Sequence, residues 1–274
     1  MLTGALTLSA TALAGCGLRL EDDAPDIPFV PERDPIPGEA VLLAVLGALE
    51  ASDEEHAAAR ADRLRSALAR AEVPEGLLSS PTTPQGPAET VAAFEGAVRD
   101  CGPGLLPLVG RLTATHRITA RTGAGTDLWT PPGTKPWEAG SVAADALDAT
   151  RATIYALDLI AAKTSGRLSK GVRRTSRRLQ DLVTRQTTAA GSEVRPATLG
   201  YDIAHELTPA QVRELGTRSF ARLLAAYTDG LAGLGQDRTA ALEVTQWIVT
   251  AEAASRDQFP LEVPVLYGED PEES

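Results

Sequence analysis

Apolar residues recur along this chain at the three-and-four spacing of amphipathic helices, and clusters of Gly, Pro, Ser and Thr separate the segments that carry it. Glu39 to Leu49 is strongly apolar, and Ser52-x-x-Glu55 has the form of a capping box, which predicts a fresh helix running to about Ala71. The spacing leaves open whether these are one kinked helix or two. Pro74 ends the run, and Ser79 to Pro87 (SSPTTPQGP) reads as a loop. Helical spacing resumes from Ala88 to about Ile118, with a break expected at Gly102-Pro103-Gly104.

Arg121 to Ala139 is the longest internal linker, and four more helices are predicted beyond it. The first, about Ser141 to Lys163, puts Ala143, Leu147, Thr150, Ile154, Leu157 and Ala161 on one face. The second, about Arg167 to Ala190, turns Leu168, Val172, Leu179, Leu182 and Val183 inward. The third starts at Thr208-Pro209, an N-cap followed by proline at the first helical position, and runs to about Leu231. The fourth, about Asp237 to Asp257, has Leu242, Thr245, Ile248 and Val249 on its apolar side. Short connections make the first and second antiparallel, and likewise the third and fourth, whereas Gly191 to Leu207 is a longer link. This is the plan of a four-helix bundle.

The first residues follow a different pattern. Leu2 to Ala14 is apolar or small throughout, the length of a signal-peptide core and short of the ~20 residues that span a membrane. It closes on Leu13-Ala14-Gly15-Cys16, which resembles the lipobox of bacterial lipoproteins. That resemblance implies removal of residues 1–15 and lipidation of Cys16, an extracytoplasmic location and anchorage to the cell membrane by two or more acyl chains. No Lys or Arg precedes the apolar run, so the natural start is expected upstream of Met1. Pro25, Pro28, Pro31, Pro35 and Pro37 make the following segment an extended tether.

Composition narrows the rest. Only 4% of residues are aromatic, so the core is expected to be built from Ala, Leu and Val, side chains that suit close helix packing. A net charge of −11 argues against a general nucleic-acid binder, which needs a basic surface. Lys135, Lys163 and Lys170 are the only lysines, a bias that with the Ala and Gly content points to a GC-rich genome. With Cys16 lipidated, Cys101 has no partner for an intramolecular disulfide. Beside its Gly-Pro-Gly break, it reads as a small hydrophobe at a helix break, with an exposed reactive thiol or an intermolecular bridge as the alternative.

The second block also carries Ala152-Thr153-Ile154-Tyr155-Ala156, the pairs Arg173-Arg174 and Arg177-Arg178, Leu199-Gly200-Tyr201, Ala225-Ala226-Tyr227 and Gln258-Phe259-Pro260. In this order, over about Ser141 to Tyr267, it resembles the ferritin-like domain-of-unknown-function proteins of actinobacterial lipoproteins. The resemblance implies an all-α chain whose ferritin-like up-down four-helix bundle follows an N-terminal helical pair, with no assigned activity. Expected divisions are a signal peptide (1–15), lipidated Pro-rich tether (16–37), N-terminal helical region (38–120), linker (121–140), bundle (141–267) and acidic tail (268–274).

The resemblance does not extend to iron. Ferritin-type sites use inward Glu residues and Glu-x-x-His pairs, and no Glu here has a His three residues later. Asp53-x-x-His56 and Asp202-x-x-His205 lie in different blocks without visible partners and read as solvated or capping residues. His116, near a helix end, reads as a cation complementing the dipole. Glu243 and Glu252 lie nine residues apart, a spacing that lets one face inward, and both read as solvated or paired with arginines of the second bundle helix. Trp129 and Trp137 read as caps on the bundle's end. No Gly-x-Ser-x-Gly elbow or defensible triad is present, Gly123-Ala124-Gly125 lacks the strand and Lys-Ser/Thr of a phosphate loop, and no metal, cofactor or catalytic residue is expected.

One local feature departs from the acidic whole. Arg167, Lys170, Arg173, Arg174, Arg177, Arg178 and Arg185 crowd a helix whose one acid is Asp181. They read either as a solvated face partly paired with Asp145, Asp148 and Asp158 or as a contact with anionic lipid or an acidic protein partner. The expected role is a lipid-anchored binding or structural module of the cell envelope. The alternatives are a metal-handling or redox enzyme of the ferritin-like superfamily, and a small-ligand carrier.

Overall fold

Helix-terminating chemistry divides the chain much as the spacing predicts. The computed structural model describes residues 33–120, 134–197 and 208–268. Cys16, Trp129, Asp202, His205, Leu199-Gly200-Tyr201 and the acidic tail beyond Gly268 lie outside the described residues. The described residues from Pro35 onward belong to one compact unit, which is all-helical, with no strand among the described residues. No helix of the described residues is long and apolar enough to cross a membrane.

The elements are α1 (Glu39–Glu50), α2 (Ala57–Arg70), α3 (Glu75–Leu78), α4 (Pro87–Asp100), α5 (Leu106–Thr119), α6 (Gly140–Lys163), α7 (Gly166–Ala190), α8 (Pro209–Gly230) and α9 (Arg238–Ser255). Prolines fix φ at the starts of α4, α5 and α8, where a missing N–H costs nothing. At α8 the capping box is complete: Thr208 Oγ1 accepts from the Gln211 amide (3.4 Å), and Gln211 Oε1 accepts from the Thr208 amide (2.8 Å). Asp237 caps α9 through the Ala240 amide at 3.0 Å.

The capping box expected at Ser52 does not form. Ser52 Oγ accepts the nearby Glu54 amide (3.2 Å) in a local turn, and the helix starts later, behind His56 in the left-handed region (φ 65). α1 and α2 are therefore two helices.

Four helices close into a ring, α6 against α7, α7 against α9, α9 against α8, and α8 against α6. Side-chain contacts set their directions. Thr150 meets Gln186 and Ser169 meets the Ala161 carbonyl, so α6 and α7 run antiparallel. Thr150 meets Tyr227 and Thr153 reaches the Ser219 carbonyl, so α8 also opposes α6. Hence α7 and α8 run the same way, and the link from Ala190 to Pro209 starts and finishes at opposite ends of the bundle. The face expected of α6 is buried as read, from Ala143 to Ala161. Leu168 of α7, expected inside, is exposed because it lies one position short of the buried Ser169 and Val172 row.

α9 differs most from its expected one-sided pattern. Leu242, Thr245, Ile248 and Val249 are buried, but so are Glu243, Gln246, Glu252 and Ser255. The reason is packing on both sides: α7 and α8 cover one side of α9, and α4 and α5 cover another. The linker therefore divides the sequence but not the core, since α9 belongs to both blocks. Around it α1 packs on α2 and α4, and α2 touches α5.

At the far end of α9 the chain turns so that Phe259 seats over Gly216 of α8, where a Cβ would overlap the ring. Phe259 is fully enclosed and cannot swing away. Gly216→Ala is expected to destabilise the fold by about 1–3 kcal/mol through overpacking, outweighing the helix-propensity gain of up to ~1 kcal/mol. Urea unfolding checks this; an unchanged or raised midpoint would contradict the packing described.

Candidate functional site

The exposed face of α7 is the strongest charge feature that sequence and structure share. Its inward row, Ser169, Val172, Thr175, Ser176, Leu179, Leu182 and Gln186, leaves the opposite face to cations. Arg167, Lys170, Arg173, Arg174, Arg177 and Arg178 are all exposed, and Arg185 is half-buried. The pairing expected with α6 does not occur. Asp145 binds Arg195, Asp148 binds Arg151 (3.6 Å) and Arg195 (3.2 Å), and Asp158 accepts from Ser176 (3.1 Å). Only Arg178 of the six has a carboxylate in range among the described residues, Asp257 at 3.4 Å. Both members of that pair are solvated, which leaves it little energetic weight. Exposed Leu168 lies in the same face.

The centre of the bundle is neutral. Thr150 of α6, Gln186 of α7 and Tyr227 of α8 are fully buried and mutually hydrogen-bonded. The Gln186 amide donates to Tyr227 Oη (2.9 Å), Tyr227 Oη lies 2.6 Å from Thr150 Oγ1, and Thr150 Oγ1 donates to Gln186 Oε1 (2.8 Å). With the tyrosine donating to the threonine, the three close a ring in which each satisfies the next. Burial pushes the Tyr227 hydroxyl up to about 12, so it stays protonated. Trp247 of α9 lies against Tyr227 at 6.0 Å and stacks on half-buried Trp137 at 5.0 Å. Trp137, read as an end cap, is thus a wall of the core, and its amide donates to the Ala189 carbonyl (2.8 Å).

A second, partly buried network, missed by sequence reasoning, joins α2, α5, α9 and the segment after α9. Arg60 is 1% exposed; its Nε donates to the Val265 carbonyl (2.8 Å) and its Nη1 lies 3.3 Å from Glu54. Glu54 also accepts from Thr119 Oγ1 at 2.7 Å. Arg256 donates to Glu252 Oε1 (2.7 Å) and to the Ile118 carbonyl (2.9 Å). Buried Tyr267 sits among these charges; burial first, then the Glu252 carboxylate, pushes its hydroxyl up to about 12. Glu243 and Glu252, expected to be solvated or to pair with α7, are both buried, and Glu252 takes Arg256, the residue at the C-cap of its own helix. One signal for the network was present: Arg60 interrupts the apolar row Ala57, Ala61, Leu64, Leu68.

The remaining candidates resolve locally. His116 stacks on Phe94 (4.2 Å, 6°), and burial pulls its pKa below the ordinary value, against its expected role as a helix-end cation. Cys101 is fully buried and burial pushes its thiol up to about 11, which takes it away from nucleophilic chemistry. His56 caps α2 beside Glu55 rather than meeting a second ligand. Among the described residues no three His, Cys, Asp or Glu side chains are grouped to hold a metal ion. No family model, curated protein or solved structure matches the chain.

Because the folded state disfavours protonation of His116, the unfolded chain takes up that proton first. The contribution of His116 to stability is whole above about pH 6.5 and falls as pH drops below it. Wild type is expected to lose more unfolding free energy between about pH 7.5 and about pH 5.5 than His116→Phe, which keeps the ring stack. Equal losses in urea titrations would show that His116 is not held neutral by burial.

Proposed function

We propose that the chain is a lipid-anchored protein of the cell envelope, held by Cys16 and acting as a binding or structural module whose α7 face rests on anionic headgroups. The observation that carries this reading is the row Arg167, Lys170, Arg173, Arg174, Arg177 and Arg178, exposed and almost without acidic partners. On a chain of net charge −11 such a face orients the molecule as well as attracting it to a negative surface. Near that surface each cation contributes about 1 kcal/mol, decaying over a Debye length of ~8 Å. The lipobox-like Leu13-Ala14-Gly15-Cys16 supplies the tether that keeps the face within that range.

The module is ferritin-like in its helix plan. Two antiparallel pairs, α6 with α7 and α8 with α9 (Tyr227 beside Trp247, Phe220 beside Phe259), joined by one link between opposite ends of the bundle, support that reading. Its centre is occupied by the neutral Thr150, Gln186 and Tyr227 ring in place of inward carboxylates. A small-ligand role is a second reading, favoured by a cavity at the end of the bundle between α6, α7, α8 and the turn after α9.

One experiment separates tether from face. Full-length Cys16→Ser protein should leave the membrane fraction in cells, yet cosediment with phosphatidylglycerol vesicles at low salt and far less with phosphatidylcholine. Adding Arg173→Gln, Arg174→Gln and Arg177→Gln should weaken vesicle binding by about 100-fold, the equivalent of ~3 kcal/mol. Membrane retention of Cys16→Ser without lipid label would contradict the anchor. Vesicle binding that is absent, or indifferent to the three substitutions, would contradict the face and favour an acidic protein partner.

A further inference from the structure

We infer that the cavity at the α6–α7 elbow is a site for the headgroup and first acyl carbons of an anionic phospholipid, an inference that rests on the membrane-facing reading above. The cavity holds about 520 Å³, within the range of small-molecule sites. It lies between the C-terminal end of α6, the first turns of α7 and α8, and Gln258-Phe259 beyond α9. Val212 and Phe259, both buried, contribute apolar lining together with Leu168. Lys163 and Arg213, both exposed, are its charged residues, and no carboxylate lines it. Among the described residues neither cation has a carboxylate within salt-bridge range. The Ser165 hydroxyl adds a neutral donor.

Two glycines keep this end of the bundle in shape. A Cβ at Gly171 of α7 would come 2.5 Å from the Gln258 side chain, and one at Gly216 of α8 would overlap Phe259. The turn after α9 therefore packs closely on both helices and supplies part of the lining. A ligand matched to that lining has one negative group for Lys163 and Arg213 and an apolar body for Leu168, Val212 and Phe259. Inorganic phosphate uses only the first half, and a neutral lipid only the second. Leu168 also links the cavity to the cationic face, since it is an exposed member of α7 beside Arg167 and Lys170. A phospholipid at the surface met by that face has a direct route into the cavity.

The test is a calorimetric titration of full-length Cys16→Ser protein with dihexanoylphosphatidylglycerol below its micelle concentration. Dihexanoylphosphatidylcholine and inorganic phosphate serve as separate probes. The phosphatidylglycerol should bind at least tenfold more tightly than either. Lys163→Gln with Arg213→Gln, at exposed positions that leave the core intact, should lose at least tenfold, and more than the Arg173, Arg174 and Arg177 variant loses. Equal binding of the two lipids, equal binding of phosphate alone, no binding, or indifference to the Lys163 and Arg213 substitutions would each overturn the site. Monomer binding that persists where vesicle binding fails would uphold the site and sink the membrane-facing reading; the reverse result would sink the site alone.

Discussion

A helix buried on nearly every side constrains everything packed around it, and α9 is such a helix. Of its 18 residues, 14 are buried. Ala240, Ala241, Ala251 and Ala254 are small enough to let neighbouring backbones approach, and Trp247 packs against both Tyr227 of α8 and Trp137. An unmade hydrogen bond in the core costs about 1–3 kcal/mol, and most polar side chains carried inward find partners, although Trp247 Nε1 and Glu252 Oε2 have none among the described residues. Thr245 donates back to the Ala241 carbonyl (2.7 Å), Ser255 to that of Glu252 (2.7 Å), and Glu252 takes Arg256. The bundle on one side and the N-terminal helices on the other are thus two coats on a single shared element.

The polar groups inside divide by charge. The bundle centre uses a closed neutral ring, which orders α6, α7 and α8 without burying an ion. The seam between α2, α5 and α9 uses ions, and each has a neutral or opposite partner: Arg60 with a carbonyl and Glu54, Arg256 with a carbonyl and Glu252. Arg60 and Glu252 are the buried ions of these pairs, and stripping a buried charge of its partner is costly, so the pairs favour one arrangement over near alternatives. Such groups are committed to the fold. The cations on α7 and at the α6–α7 elbow are not, and the functional reading rests on that contrast between committed and available charge.

Much of the architecture was legible because local signals agreed with the packing. The 3–4 rows of α6 and α7, Thr208-Pro209 before α8 and Gly102-Pro103-Gly104 between α4 and α5 all mark real boundaries. The exposed row from Arg167 to Arg178 was legible too, since charged residues cluster on the face opposite Val172 and Leu179. What escaped depended on long-range neighbours. Glu243, Gln246 and Glu252 look solvated until the helices packed on more than one side of α9 enclose them, and Arg60 looks like a surface residue until the Val265 carbonyl meets it 205 positions away. Ser52 failed as a cap for a local reason, because its hydroxyl is already used by the Glu54 amide.

If α9 unites the two blocks, neither can unfold without the other. In a Cys16→Ser, Trp129→Phe background the only thiol is Cys101, buried in the N-terminal layer, and the remaining tryptophans are Trp137 and Trp247 at the bundle core. Thiol labelling of Cys101 and tryptophan fluorescence should then report one coincident urea transition. Cys101 becoming reactive at urea concentrations that leave the fluorescence native would contradict the shared core.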